Sequence, residues 1–382
     1  MGEGRGEPAT SQTAPEIVTA GHICLDMFPY LGGLPDGALE APGRLYEVGQ
    51  LRVTTGGLVA NTGVAMHLLG ANVRLLATVG SDLVGESTIE ALRRVSPDLT
   101  TYLGIRKDCA SSYTIVLARP GQDRLFLHCT GPNEQFAEAD IDFSLVEGAR
   151  WFHFGYPPVL PRMFENGGKQ LARVLMRAHQ QGAVTSLDFT LPDPATPSGQ
   201  ADWPQILKAA LPWVDVFVPS LEEAIYLLRR VQYMRWSGNV AAHVSRDLLL
   251  ELAHELLDMG PAIVGFKLGE DGVLLVGGAR ERLLRMETRL PAILQWVDQQ
   301  IEQPAYQVSV VGTTGAGDAA YAGLIVGMLN GLDPRSCARA FAAAGAASVE
   351  SPDGLRGLKP SLELAARFGA DWPQRTSRLL DK

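Results

Sequence analysis

VSVVGTTGAGDAAYAGLIVGML, residues Val308–Leu329, reads as a β-branched strand running through Gly312-Thr313-Thr314-Gly315-Ala316-Gly317-Asp318 into a helix of small residues. Glycines at a strand-to-helix turn let the backbone approach a ligand closely, and the unpaired N–H groups at the helix start form a cradle for an anion. Asp318, in the first turn of that helix, stands beside the cradled anion, where a carboxylate suits a base that deprotonates a hydroxyl attacking a phosphoryl group. Two other readings stay open on this stretch alone. Gly315-Ala316-Gly317-Asp318-Ala319-Ala320 also satisfies the dinucleotide pattern GxGxx(G/A), although the acid that pattern requires about 20 residues on falls at Asp333, in a turn before Pro334. A bare packing turn is the third.

Upstream, β-like WFHFGY, VTSLDF, VDVFVP and AIVGFKLG alternate with helical KQLARVLMRAHQQG and RDLLLELAHELLDMG. This β-α rhythm predicts a mostly parallel sheet covered by helices on both faces. Asp188 ends VTSLDF at a strand's C-terminal edge, where parallel sheets bind ligands, and is a candidate to line the site. Nearer the N-terminus, EIVTAGHICLD (Glu16–Asp26) reads as one strand ending in a carboxylate. RLYEVGQLRVT reads as an edge strand or hairpin, and Ser111–Cys129 as a hairpin turning at Arg119–Asp123. Both fall outside the β-α rhythm and suggest a small β accessory. GGLVANTGVAMHLLGANVRLLATVG gives a glycine turn, a helix over Ala60–Leu69 and a strand VRLLATVG. Gly56 and Gly57 offer exposed backbone donors, and Asn61 offers an amide for hydroxyl groups or a simple helix cap.

The chain has 382 residues, 46% hydrophobic and 20% charged, an ordinary globular balance with room for a large core. Its net charge of -9 argues against nucleic acid as the main partner. The four cysteines form no CxxC pair, and neither they nor the seven histidines have metal-ligand spacing, so reduced thiols in a cytoplasmic protein are expected. The opening MGEGRGEPATSQTAPE is polar, without the apolar stretch of a signal peptide, and no apolar run approaches the ~18 residues of a membrane span. Residues 1–15 are expected to be a disordered tail and 371–382 a C-terminal tail around a single domain over 16–370. Residues 229–247 and 280–306 lack clean periodicity and read as insertions.

Two blocks, GG-x-x-x-N through LG to Val79-Gly80-Ser81-Asp82-x-x-Gly85, and TTGAGD, occur in the order found in ribokinase-like (PfkB-type) carbohydrate kinases, which the chain resembles from about Glu16 to Leu358. The resemblance implies a ribokinase-like three-layer α/β/α domain with a mostly parallel central sheet and a small β-lid over 28–55 and 109–131. It implies ATP and Mg²⁺ as cofactors, transfer to a sugar, sugar acid or nucleoside hydroxyl, and a possible homodimer through the lid. By resemblance Asp318 is the base, and Gly315, Ala316 and Gly317 form the anion hole. Asp26, Gly56, Gly57, Asn61 and Asn133 hold the acceptor. Ser220, Lys267, Gly269, Gly272, Thr314 and Ala343 lie on the nucleotide side, and Glu223 supports the metal through water. Three positions depart from the family: Ser220 replaces an Asn, Lys267 a small hydroxyl, and Gly312 an Asp that helps bind a monovalent cation in many members. They keep open a second reading, a catalytically weak sugar- or nucleotide-binding sensor. Lys267 either supplies charge beside a triphosphate or reaches into solvent from a strand end.

Overall fold

In the computed structural model, residues 16–379 are described apart from 36, 39–42, 119–124, 353 and 370. The expected turn of the second hairpin and the N-terminal tail therefore lie outside the described residues. The strands are β1 (Ile17–Gly21), β2 (Cys24–Pro29), β3 (Leu51–Gly56), β4 (Val73–Leu76), β5 (Thr78–Gly80), β6 (Gly104–Arg106), β7 (Tyr113–Leu117), β8 (Leu125–Cys129), β9 (Trp151–Gly155), β10 (Val184–Asp188), β11 (Val216–Phe217), β12 (Ile263–Lys267), β13 (Val273–Gly277) and β14 (Gln300–Gln303). The helices are α1 (Leu58–Leu68), α2 (Leu83–Val95), α3 (Pro161–Gln180), α4 (Pro197–Gln200), α5 (Trp203–Ala210), α6 (Leu221–Arg235), α7 (Arg246–Asp258), α8 (Arg280–Leu284), α9 (Ala316–Leu329), α10 (Pro334–Val349) and α11 (Ser361–Arg367).

Eight strands form the main sheet in the order β14-β13-β12-β11-β10-β9-β1-β4. From β4 to β12 all neighbours are parallel, and β13 and β14 close the edge antiparallel. Alternating side chains split into two cores, as a sheet buried on both faces requires. Ile17, Trp151, Ile263 and Leu275 pack with α1, α9 and α10 on one face. Val18, Phe152, Val264 and Leu274 pack with α3, α5, α6 and α7 on the other. The result is the three-layer α/β/α arrangement expected from the sequence.

Several expectations need correction. EIVTAGHICLD is two strands in two sheets: the chain leaves the main sheet at Gly21, whose φ of 128° a residue with a side chain rarely adopts. It resumes at Cys24 in a separate four-stranded sheet ordered β3-β2-β7-β8, the β accessory. VRLLATVG is likewise split, with β4 in the main sheet and β5 pairing with β6. Val308–Val311 is no strand; Val310 and Val311 are 60% and 59% exposed, and the amides of Val311 and Gly312 bond to the Val349 carbonyl. The β-branched run misleads because it pairs with no described strand, and α9 is reached from a loop tied to Val349. Residues 280–306 supply α8 and β14, and 229–247 begin with the end of α6, tied to α7 by Arg229–Glu255. Residues 371–379 are not a free tail: the Arg378 amide and the Ser377 hydroxyl bond to Asp271, and Leu379 is buried.

The turn from β3 into α1 fixes how the accessory sheet meets the domain. Gly57 caps α1 with φ 82°, and a Cβ there would lie 2.5 Å from His22 Nδ1 and 2.7 Å from the His22 carbonyl. Gly70 shares the positive φ, 105°, but a Cβ there would meet nothing within 4 Å. Backbone strain alone costs roughly 1–3 kcal/mol. Gly57→Ala is therefore expected to lower the urea midpoint distinctly more than Gly70→Ala. Equal losses would show that the close approach to His22 does not constrain the turn.

Candidate active site

Asp318 sits in the first turn of α9, which starts after Gly315 in a left-handed conformation (φ 76°). Its side chain is only 4% exposed and is gripped by three donors. Thr62 Oγ1 and the Tyr156 hydroxyl donate to Oδ1 at 2.9 and 2.7 Å, and Asn61 Nδ2 donates to Oδ2 at 3.1 Å. Burial pushes the Asp318 carboxyl up to about 6, and the negative charge of Asp188 adds to the rise; Tyr156, Lys267 and Thr62 hold it back. Asn61 and Thr62 come from the first turns of α1. Tyr156, just past β9, is held at φ 61° with its amide bonded to the Asp188 carbonyl. A non-glycine residue in that region is strained, and such strain concentrates at functional positions.

Lys267 ends β12 and turns inward, not toward solvent. Its ammonium is 2.6 Å from Asp188 Oδ1 and 3.9 Å from Glu223 Oε2, with the side chain 12% exposed. Burial works against that charge, but Asp188 and Glu223 outweigh it and hold the ammonium above the usual lysine range. Burial also raises Asp188, against the pull of Lys267, and pushes Glu223 up to about 7. Ser220 and Glu223 form a reciprocal cap at the start of α6: the Ser220 amide donates to Glu223 Oε2 at 2.7 Å, and the Glu223 amide to Ser220 Oγ at 3.2 Å.

These groups surround the start of α9. A Cβ on Gly317 would lie 3.7 Å from Lys267 Nζ, and one on Gly315 would lie 3.7 Å from Asn61 Nδ2. The Gly315-Ala316-Gly317 turn, with the N–H groups that a helix start leaves unpaired, thus lies between a lysine and an amide. Among the described residues, no group of three or more His, Cys, Asp or Glu could hold a metal alone. The donors do suit a hydrated Mg²⁺ shared with phosphates: Asp188 Oδ2 is buried without a partner, Glu223 stands beside it, and one lysine faces three carboxylates.

The remaining sequence-derived residues divide. Asp26 and Gly56 face one another in the accessory sheet, where a Cβ on Gly56 would lie 2.3 Å from the Asp26 carboxylate. Asn133 does not present its amide to an acceptor: it is fully buried, with Nδ2 donating to the Ile23 and Thr130 carbonyls, and it pins the link between β1 and β2. Gly269 and Gly272 flank a turn after β12 at φ 58° and 102°. The Thr314 carbonyl packs near Gly354, and Ala343 is buried within α10, with no polar side-chain atom to offer. Sequence reading missed Thr62 and Tyr156. Thr62 follows Asn61 directly and so carried a signal; Tyr156 carried none, because its role depends on a left-handed backbone.

A parallel sheet whose C-terminal edge gathers a glycine cradle, a buried carboxylate and a lysine has the layout of a small-molecule kinase. The pfkB family carbohydrate kinase model matches residues 14–359, and the chain belongs to that family and is a carbohydrate kinase. It is similar to a nucleoside kinase of Methanothermobacter thermautotrophicus, 23% identical over 360 residues, covering 94% of this chain and 96% of that protein. Among solved structures it is similar to Arabidopsis thaliana ribokinase complexed with ribose and ATP, with TM-score 0.69, 18% identity, and 93% and 99% of the two chains covered. It is also similar to an Escherichia coli chain described as a ribokinase II, in complex with ATP and Mg²⁺, with TM-score 0.67, 18% identity, and 93% and 98% covered. At these identities the structural likeness establishes the fold.

Removing the buried ammonium gives a signed test. Lys267→Met leaves Asp188, Glu223 and Asp318 without a counter-charge, and breaking such a pair costs about 3–5 kcal/mol. Their folded-state carboxyl values then rise further above the unfolded ones, so the folded state takes up protons. Stability is kept below the unfolded carboxyl range and lost as pH rises through the raised values. In urea unfolding the variant should trail the parent far more at pH 8 than at pH 5. A pH-independent gap would show that the lysine is not balancing these carboxylates.

Proposed function

We propose that this carbohydrate kinase transfers the γ-phosphoryl group of ATP, with Mg²⁺, to a hydroxyl of a small sugar or nucleoside, with Asp318 as the general base. The observation that carries the reading is the buried Asp318 carboxylate, gripped by Thr62, Tyr156 and Asn61 in the first turn of α9, where burial pushes it up to about 6. Efficient bases titrate near the working pH, and this one is ionised at neutrality yet still basic enough to accept a proton. Oδ1 already holds two hydrogen bonds and Oδ2 holds one, so Oδ2 is the oxygen with a lone pair free for the acceptor hydroxyl. The acceptor lies between that oxygen and Asp26, Gly56, Gly57 and Asn61. As its proton passes to Asp318, the hydroxyl oxygen attacks in line, and the Gly315, Ala316 and Gly317 amides meet the transferring phosphoryl. Lys267 adds fixed positive charge beside Gly317. Asp188 and Glu223 would hold Mg²⁺ through water, and the bound ion would supply further neutralisation of the phosphates. Ser220, Gly269, Gly272, Thr314 and Ala343 lie on the nucleotide side.

Of the three departures from the family pattern, Lys267 is folded into the cluster and does not obstruct it, which supports the catalytic reading over the sensor reading. The accessory sheet serves as the lid, over 28–55 and 109–131. Its edge strand β8 exposes Leu125, Phe126 and Leu127, a surface suited to a lid-to-lid homodimer. Among the described residues no helix is long and apolar enough to cross a membrane.

Asp318→Asn keeps the shape of the side chain but cannot take a proton. Its kcat is expected to fall about 10²–10⁴-fold with both KM values nearly unchanged. The parent's kcat/KM should fall with unit slope as pH drops through about 6, because activity requires the ionised form. Tyr156→Phe removes a donor that favours that form and should move this limb upward. Parent-like turnover in Asp318→Asn, measured as ADP release, would eliminate Asp318 as the base. Saturating acceptor is further expected to slow hydrogen exchange in Leu51–Gly56 and Tyr113–Leu117; protection confined to α9 would mean the accessory sheet is no mobile lid.

A further inference from the structure

The polar groups on the inner face of the accessory sheet form a continuous row. Thr54 is registered opposite Asp26, Asp26 beside Thr114, and Thr114 opposite His128, so four side chains from four strands share one face. The Cys24 thiol bonds to Asp26 Oδ1 at 3.2 Å, and Thr114 Oγ1 lies 3.0 Å from His128 Nδ1. Two residues further along β2 and β3, Phe28 and Arg52 lie on the same face, and the Arg52 guanidinium bonds to the Pro352 carbonyl of the main domain. The row therefore faces the domain.

His22, in the link between β1 and β2, lies at the foot of this row. Its ring centroid is 5.3 Å from that of His128 and 6.2 Å from that of Tyr156, the residue that donates to Asp318. Its ring packs against the Gly57 turn. His22 is buried, and neither ring nitrogen has a hydrogen-bond partner. A buried polar group left unpaired costs about 1–3 kcal/mol, so this imidazole gains from a ligand that pairs with it.

We propose that His22 and His128 are specificity-determining residues that grip a pair of neighbouring hydroxyls on an uncharged polyhydroxyl acceptor; this rests on the kinase reading above. A neutral imidazole carries one donor and one acceptor: His22 has both unpaired, and His128, with Nδ1 against Thr114 Oγ1, has Nε2 left, so the two rings at this separation complement a diol. Burial lowers both histidines, His22 to about 3, and keeps them neutral at physiological pH. Among the described residues of the row the carboxylate is Asp26, and the cation is engaged: Arg52 sits over the Phe28 ring, 4.3 Å from its centroid, and is bonded to Pro352. A sugar acid or sugar phosphate would meet Asp26 without a counter-charge.

The test measures ADP release by the full chain with D-ribose, D-fructose, adenosine, their monodeoxy analogues and D-gluconate. D-gluconate is expected to be the poorest acceptor. On the best one, His128→Ala and His22→Asn should each raise acceptor KM about tenfold while leaving ATP KM unchanged, as loss of a hydrogen bond in a buried site predicts. For the matching deoxy analogue the parent should lose a similar factor and the variants little more, because hydroxyl and imidazole act as one pair. His128 lies on an exposed strand, so its variant reports even if His22→Asn folds poorly. Unchanged acceptor KM in His128→Ala, fully additive losses, or D-gluconate as the preferred acceptor would overturn the proposal while leaving the kinase reading intact. No ADP release by the parent with any of these compounds would instead remove the reading beneath it.

Discussion

The charge of one buried ammonium sets the terms for the whole site. Lys267 Nζ lies against Asp188 and within 3.9 Å of Glu223, and its charge reaches Asp318, the next carboxylate along. Three carboxylates could not remain ionised together in this interior without it, since burial alone drives each toward its neutral form. Asp188 ends β10, Lys267 ends β12, and Glu223 begins the helix after β11. The pair thus joins three successive crossovers of the parallel sheet at the edge where ligands bind. Desolvating such a pair is expensive, and an apolar replacement of the whole set could be equally stable. Its chemical consequence is that Asp318 stays ionised yet basic beside the glycine turn that is the proposed phosphate cradle.

What could be read from the sequence follows from how local each determinant is. Gly315, Gly317 and Asp318 were legible because a helix start needs a left-handed glycine and free amides within a few residues. The β-α rhythm was legible because strands buried on both faces carry unbroken apolar runs. The accessory sheet was visible only as hairpins that broke that rhythm. Contacts that join distant segments were invisible: Lys267 faces Asp188 across the C-terminal edge of the sheet, and Tyr156 meets Asp318 from 162 residues away. Val308–Val311 failed in the opposite way, since β-branched composition becomes a strand only where a neighbouring strand pairs with it, and among the described residues none does.

Backbone strain explains how the lid and the base are connected. The chain crosses between main sheet and lid twice near the site, at Gly21–Cys24 and at Gly56–Leu58, and each crossing uses a positive-φ glycine. His22 fills the space between the crossings, with its ring against Gly57 and stacked toward Tyr156. Tyr156 is itself strained and places its hydroxyl on Asp318 Oδ1. His22 thus touches both the turn that leads out of the accessory sheet and the ring that donates to Asp318. The proposed acceptor wall and the hydrogen bond on the proposed base are thus only two neighbouring rings apart, His22 and Tyr156. Asn61 adds a second link, because the helix that Gly57 caps also carries the amide on Asp318 Oδ2.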